Sequence, residues 1–186
     1  MVKQKIELMV AGVGGQGLLT TGWLFAEAAM PNYKHVLYFP NYGPMMRGGE
    51  SECTVILSNE EIGSPVVYNP ASAIVMGKVA LTRLEGRLKS GGTMFVDSSV
   101  VPDRVSREDI TVFYIPATRM AIDLGDRRVA NLVLLGAYLE ATKVLPLEAI
   151  ETHLEKQLAG KKGEAILKFN KQALREGAKL IAEYQH

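Results

Sequence analysis

The chain has 186 residues, 47% of them apolar and 22% charged, which suits a soluble globular protein with one sizeable core. A net charge of +1 excludes a broad electrostatic footprint for nucleic acid or for an anionic membrane surface. No apolar run reaches the ~20 residues that a bilayer span needs, and the amino terminus lacks a signal-peptide cleavage site, so the cytoplasm is the expected location.

Residues 6–12, IELMVAG, form a nearly continuous apolar run, as expected of a short strand buried on both faces of a parallel sheet. An apolar helix follows from Leu18 to Met30 and stops before Pro31. KHVLYFP (34–40) reads as the second strand. A loop rich in glycine and proline then leads to the strand SECTVILS (51–58) and a turn around NEEIGSP. ASAIVM (71–76) is another short apolar strand, and KVALTRLEGRLK (78–89) has helical spacing. Beyond a turn at SGG come the strands TMFVDSS (93–99) and ITVFYIP (110–116). ATRMAIDLG (117–125) and RRVANLVLLGAYLEATKVL (127–145) read as helices, the second apolar nearly all round and therefore buried. Two amphipathic helices close the chain, over 146–159 and 163–184. Strands alternating with helices predict a three-layer, Rossmann-like α/β domain over residues 1–186, its sheet mostly parallel and its carboxyl end helical. No repeat, low-complexity tract or linker divides it.

The first strand runs into Gly12, Gly14, Gly15 and Gly17, with the G-x-G-x-x-G spacing of many dinucleotide sites. Gly12 and Gly14 are expected to adopt φ values closed to other residues and to let a neighbour approach closely. The helix that follows aims unpaired N–H groups at the same place, which favours an anion; the alternative is a tight turn that uses glycine only for packing. A dinucleotide site needs an acid at the end of the second strand, ~20 residues on, to hold the ribose. Between Glu27 and Glu50 there is no Asp or Glu, and no Lys-Ser or Lys-Thr follows the glycines as a P-loop requires. Both nucleotide motifs fail.

Residues 41–49, NYGPMMRGG, form a second glycine-rich loop. Arg47 offers a rigid donor fork for carboxylate or phosphate, Tyr42 a flat face with a hydroxyl, and Met45 and Met46 adaptable apolar contacts. Both loops leave carboxyl ends of strands, where ligands bind in open α/β sheets, so they are expected to lie side by side. The alternative is a solvated surface loop.

Other candidates have plainer uses. Gln16 can serve a ligand or brace the Tyr42 loop. Asn131, in an otherwise apolar helix, needs partners if buried and is expected to bond loop backbone, with ligand contact as the alternative. Asn170 falls on an apolar stripe of Ile166, Phe169, Ala173, Gly177 and Leu180 and raises the same question. Cys53, the single cysteine, is expected as a small core residue rather than a reactive thiol. One thiol supplies neither a disulfide nor an iron–sulfur cluster, which takes about four thiolates. His35, His153 and His186 show no metal-ligand spacing. Glu60 and Glu61 read as a solvated turn, and Asp97 either faces the crevice or caps the turn at Ser98 and Ser99.

Taken in order, GVGGQG (12–17), NYGPMMRGGESECTVILSNEEIGSP (41–65), VANLVLLGA (129–137) and KFNKQALREGA (168–178) resemble the gamma subunit of 2-oxoacid:ferredoxin oxidoreductases. The resemblance covers nearly the whole chain. It implies a subunit of an anaerobic complex that converts a 2-oxoacid to acyl-coenzyme A using thiamine diphosphate and passes electrons through iron–sulfur clusters to ferredoxin. It further implies alpha, beta and ferredoxin-like delta partners that carry those cofactors, with this chain contributing coenzyme A access and assembly and no catalytic residue. On this view Gly12, Gly14, Gly15, Gln16, Gly17, Asn41, Tyr42, Arg47, Gly48, Gly49 and Asn131 are ligand-binding or subunit-interface residues. Asn41 stands where the family usually has Ser or Thr, and Met45 where it usually has Glu. The motifs incline toward 2-oxoglutarate or branched-chain substrates over pyruvate. A homo-oligomer of the isolated chain is plausible, its partner surfaces being exposed. Two alternatives are a free-standing nucleotide-binding oxidoreductase and an assembly module without a ligand.

Overall fold

The computed structural model describes residues 5–42, 49–159 and 163–184. Six strands form one sheet in the order β2-β3-β1-β4-β5-β6: β1 Lys5–Val13, β2 His35–Tyr42, β3 Glu50–Ser58, β4 Ser72–Met76, β5 Thr93–Asp97 and β6 Thr111–Ile115. β1, β4, β5 and β6 pair in parallel, whereas β3 runs against both β1 and β2. The short connection between β2 and β3 explains the reversal. Residues 43–49 leave no room for the dozen or more residues of a parallel crossover, so the two strands form a hairpin.

β1 is the centre of the sheet, and its apolar run serves both faces. Leu8 and Val10 enter the larger core, together with Cys53, Val55 and Leu57 of β3. Met9 and Ala11 enter the smaller core, under α2 (Lys78–Glu85). The larger core lies beneath α1 (Leu18–Ala29), α3 (Ala117–Leu124), α4 (Ala130–Thr142) and α5 (Leu147–Gln157). α6 (Glu164–Tyr184) packs on the outside of α4, which touches β4 and β5 on its inner side. This arrangement explains why α4 shows almost no polar face: Ala130 to Leu139 are all buried.

Element boundaries differ from expectation in informative ways. The helix expected over 127–145 opens with a 3-10 turn, Arg127–Val129, and ends at Lys143, whose φ of 52° is left-handed. α2 stops at Glu85 rather than Lys89. On α6 the buried set is Ala173, Leu174, Gly177 and Ile181, so the expected stripe is rotated. Ile166 is exposed and Asn170 half-buried, while Leu167 and Phe169 of the same turns pack against the larger core.

The contact between α4 and α6 depends on missing side chains. A Cβ at Gly136 would lie 1.9 Å from the Leu174 carbonyl oxygen, and one at Gly177 would lie 1.9 Å from that of Val133. Alanine in a helix is ordinarily favoured over glycine by roughly 1 kcal/mol. Here Gly177→Ala is expected to lose about 2 kcal/mol in urea unfolding, because the backbones must separate. Gly86→Ala, at an open site, is the control and is expected to change little.

Candidate functional site: a cationic crevice beside the glycine turn

β1 delivers the chain to a turn at residues 14–17, and Gly17 caps α1 with a φ of 75°. The left-handed positions are Gly15 (φ 98°) and Gly17, rather than Gly12 and Gly14 as expected. Gly12 remains in β1 and serves close approach instead. A Cβ there would meet the Met76 carbonyl carbon at 3.0 Å and Gln16 Oε1 at 2.6 Å.

Gln16 lines a crevice beside the turn and has a partner within its own turn. Its Oε1 accepts from the Val13 N–H at 2.7 Å, closing the turn on itself. Asn131, at the start of α4 and buried, reaches the same turn. Its Nδ2 donates to the Gly17 carbonyl at 3.1 Å and to Thr21 Oγ1 at 2.8 Å. Thr21 Oγ1 donates in turn to the Gly17 carbonyl at 3.0 Å. The expected bond from Asn131 to loop backbone is thus present, while its Oδ1 has no partner among the described residues.

The glycine turn lies beside the described end of the second loop, of which residues 43–48 lie outside the described residues. The Gly14 N–H donates to the Gly49 carbonyl at 2.8 Å, and Val13 pairs with Glu50. Asn41 is exposed and donates to Glu52 Oε1 at 3.0 Å; Glu52 Oε2 is held by the Arg83 guanidinium at 2.6 Å. Tyr42 pairs with Ser51 through the backbone. Arg47, Gly48, Met45 and Met46 lie outside the described residues.

A crevice of about 600 Å³ opens beside the turn, across the carboxyl ends of β1 and β4. Val13 to Gln16 form one wall, Gly77 and Lys78 another, and Val100, Thr118, Arg127 and Arg128 complete the rim. Neither α1 nor α2 has a side-chain cap, since Gly17 and Gly77 occupy their cap positions. First-turn N–H groups of two helices therefore lack side-chain partners at this end of the sheet.

Three cations surround these N–H groups. Lys78 pairs with Asp103 at 2.8 Å, and Arg128 forks onto Asp126. Arg127 is exposed and has no ion-pair partner among the described residues. These basic residues were missed in the sequence, although a signal was present. Lys78 opens α2 and the Arg127–Arg128 pair precedes α4, whereas cations are disfavoured at the positive end of the helix dipole.

Other candidates resolve as structural. Asp97 is fully buried and serves as a cap. Its Oδ1 accepts from the N–H groups of Ser99 (3.1 Å) and Thr118 (3.2 Å), and its Oδ2 from Thr118 Oγ1 at 2.5 Å. Cys53 is buried beneath α1, with its Sγ donating to the Leu18 carbonyl at 3.5 Å. Burial pushes its thiol up to about 12. His153 stands edge-on to Trp23 at 5.7 Å, and His35 opens β2 in solvent. Glu60 and Glu61 are exposed. No group of three or more metal-binding side chains occurs among the described residues, and none of their helices is long and apolar enough to cross a membrane.

A family model described as pyruvate ferredoxin/flavodoxin oxidoreductase matches residues 7–180. The 2-oxoglutarate synthase subunit KorC of Methanothermobacter marburgensis is 36% identical, over 96% of this chain and 98% of its own. The ketoisovalerate oxidoreductase subunit VorA of the same organism is 34% identical over 72% of this chain, a match that spans only 28% of the longer VorA. Among solved structures, the gamma subunit of a keto/oxoacid ferredoxin oxidoreductase from Geobacter sulfurreducens superposes with a TM-score of 0.81 at 29% identity, covering 94% of this chain and 95% of that one. The 2-oxoglutarate:ferredoxin oxidoreductase of Magnetococcus marinus, solved with 2-oxoglutarate, coenzyme A and succinyl-CoA, gives 0.87 at 25% identity, covering 97% of this chain and 32% of that one.

Two measurements test this geometry. A thiol at about 12 is ionised in only about one molecule in ten thousand at pH 8. Cys53 is therefore expected to resist a disulfide-exchange reagent in the folded chain and to react fully in urea. Gly17→Ala is strained by its φ and by the Asn131 amide 2.5 Å from the new Cβ; a loss of about 2 kcal/mol in stability is expected.

Proposed function

This chain belongs to the pyruvate ferredoxin/flavodoxin oxidoreductase family, and on that premise we propose that it is the gamma subunit of a multisubunit 2-oxoacid:ferredoxin oxidoreductase. The complex would decarboxylate a 2-oxoacid oxidatively, release acyl-coenzyme A and reduce ferredoxin. It would do so in the cytoplasm, with alpha, beta and ferredoxin-like delta chains as partners. Relatives named for 2-oxoglutarate and ketoisovalerate, at 36% and 34% identity, favour those substrate classes over pyruvate, whose PorC relative from Thermotoga maritima is 30% identical.

The chain's own donors decide its part. Its single cysteine is buried and bonded to backbone, which does not fit a cluster ligand. The crevice offers cations and helix N–H groups, and among the described residues that line it there is no pair of carboxylates to hold the divalent ion of a thiamine diphosphate. Both cofactors therefore fit companion chains. Thiamine diphosphate, where it is bound, supplies the decarboxylation chemistry.

Coenzyme A does fit here. Its phosphates match the N–H groups at the starts of α1 and α2, with Arg127 as the cation left without a carboxylate of its own. Arg47, which lies outside the described residues, is kept as a second candidate cation from its place in the sequence alone. The chain would hold and orient the anionic end of coenzyme A and move no proton itself. The observation that carries this reading is Arg127, without an ion-pair partner among the described residues, on a crevice where two helices without side-chain caps begin.

In the assembled enzyme, Arg127→Ala is expected to raise the KM for coenzyme A about tenfold while leaving kcat nearly unchanged. Arg47→Ala should act in the same direction. Unchanged constants in an intact complex would remove coenzyme A from this crevice.

A further inference from the structure

A second concavity lies on the same helical face but at the opposite end of the molecule. α1 starts at the glycine turn and runs for 12 residues, about 18 Å at 1.5 Å per residue, before it ends near Met30. There the end of α1 and the start of α5 enclose a groove of about 390 Å³. Met30, 58% exposed, and Pro31 form its apolar floor, and His153 backs it with Trp23, itself 38% exposed, leaning edge-on against the ring.

The charges of this groove are unbalanced. Glu27 lines it and is half-buried; its carbonyl accepts from the Met30 N–H, but its carboxylate has no ion-pair or hydrogen-bond partner among the described residues. Glu148 stands on the facing helix. Lys156 also lines the groove but forms an ion pair with neither acid among the described residues. A half-buried carboxylate has lost part of its hydration, and a cation brought to it restores what was lost. Exposed methionine and tryptophan beside it are side chains enriched where proteins meet.

The occupant is indicated by how this domain occurs elsewhere. The match to this chain spans 28% of VorA and 32% of the Magnetococcus marinus chain, each a single polypeptide that is much longer than the matched part. In those proteins the domain is tethered to a neighbour that a separate subunit must instead hold by surface contacts alone. We infer that the groove between α1 and α5 docks a companion subunit of the same enzyme through a segment that presents a Lys or Arg next to an apolar side chain, the cation meeting Glu27 and the apolar group covering Met30. This inference rests on the subunit reading. Docking at this end leaves the crevice at the start of α1 open.

The test is reconstitution of the enzyme from this chain and its co-expressed companion chains, with affinity measured by light scattering and titration. Met30→Asp and Glu27→Gln are each expected to weaken assembly about tenfold, and Glu27→Gln to reduce its salt dependence. The melting temperature of the isolated variants should stay within a few degrees of the parent, and Arg127→Ala should assemble normally. Unaltered assembly of both groove variants would overturn the inference while leaving the subunit reading intact. An isolated chain that dimerises, and whose dimer Met30→Asp dissolves without affecting companion binding, would assign the groove to a second copy and overturn it too. Failure of the unaltered chain to associate with those companions would overturn the subunit reading and this inference together.

Discussion

One side chain sets the shape of the site. Asn131 reaches across 114 positions of sequence to bond the Gly17 carbonyl and, through Thr21, grips the first turn of α1 a second time. The turn itself has little to hold it. Gly15 and Gly17 occupy left-handed conformations, and among the turn's side chains only Gln16 Oε1 closes it from within. Glycine is permissive and therefore costly to order. The bond from a helix packed in the core makes one conformation the stable one.

Asn131 is dependable because α4 cannot shift. The helix is buried from Ala130 to Leu139, with the sheet on one side and α6 on the other. Gly136 and Gly177 let the two helix backbones approach until no Cβ would fit. Close packing of this kind tolerates little volume change, so a geometry fixed at the α4–α6 contact is transmitted to the turn. Core and site are mechanically one unit.

Electrostatics add direction. The chain carries a net charge of only +1, so its attraction for anions is a matter of placement rather than amount. Lys78 and the Arg127–Arg128 pair sit at helix starts, where the dipole opposes them by a few tenths of a kcal/mol each at exposed positions. Asp103 and Asp126 relieve two of them. At the far end of α1 the bias is opposite, and the Glu27 carboxylate there has no ion-pair partner among the described residues. The molecule thus presents a cationic end and an anionic groove, separated by the length of one helix.

Much of this was legible in the sequence. The antiparallel pairing of β3 was not read there, but the apolar runs and the period-3.6 patterns located the six strands and six α-helices of the described residues. The glycine turn was expected beside the second loop, whose last residue, Gly49, it does touch. Local steric and hydrophobic rules are sufficient for such features because they act between residues near in the chain. The rest was not local. Which glycines turn left-handed, that Gln16 bonds Val13, that Asp97 accepts from the Thr118 N–H at the start of α3, and that Arg128 but not Arg127 has an ion-pair partner among the described residues, all depend on distances that exist only once the layers have packed. The sequence by itself determined the elements and their family resemblance. Only the tertiary structure decided which donors and charges converge, because convergence is a property of three-dimensional distance and has no counterpart in spacing along the chain.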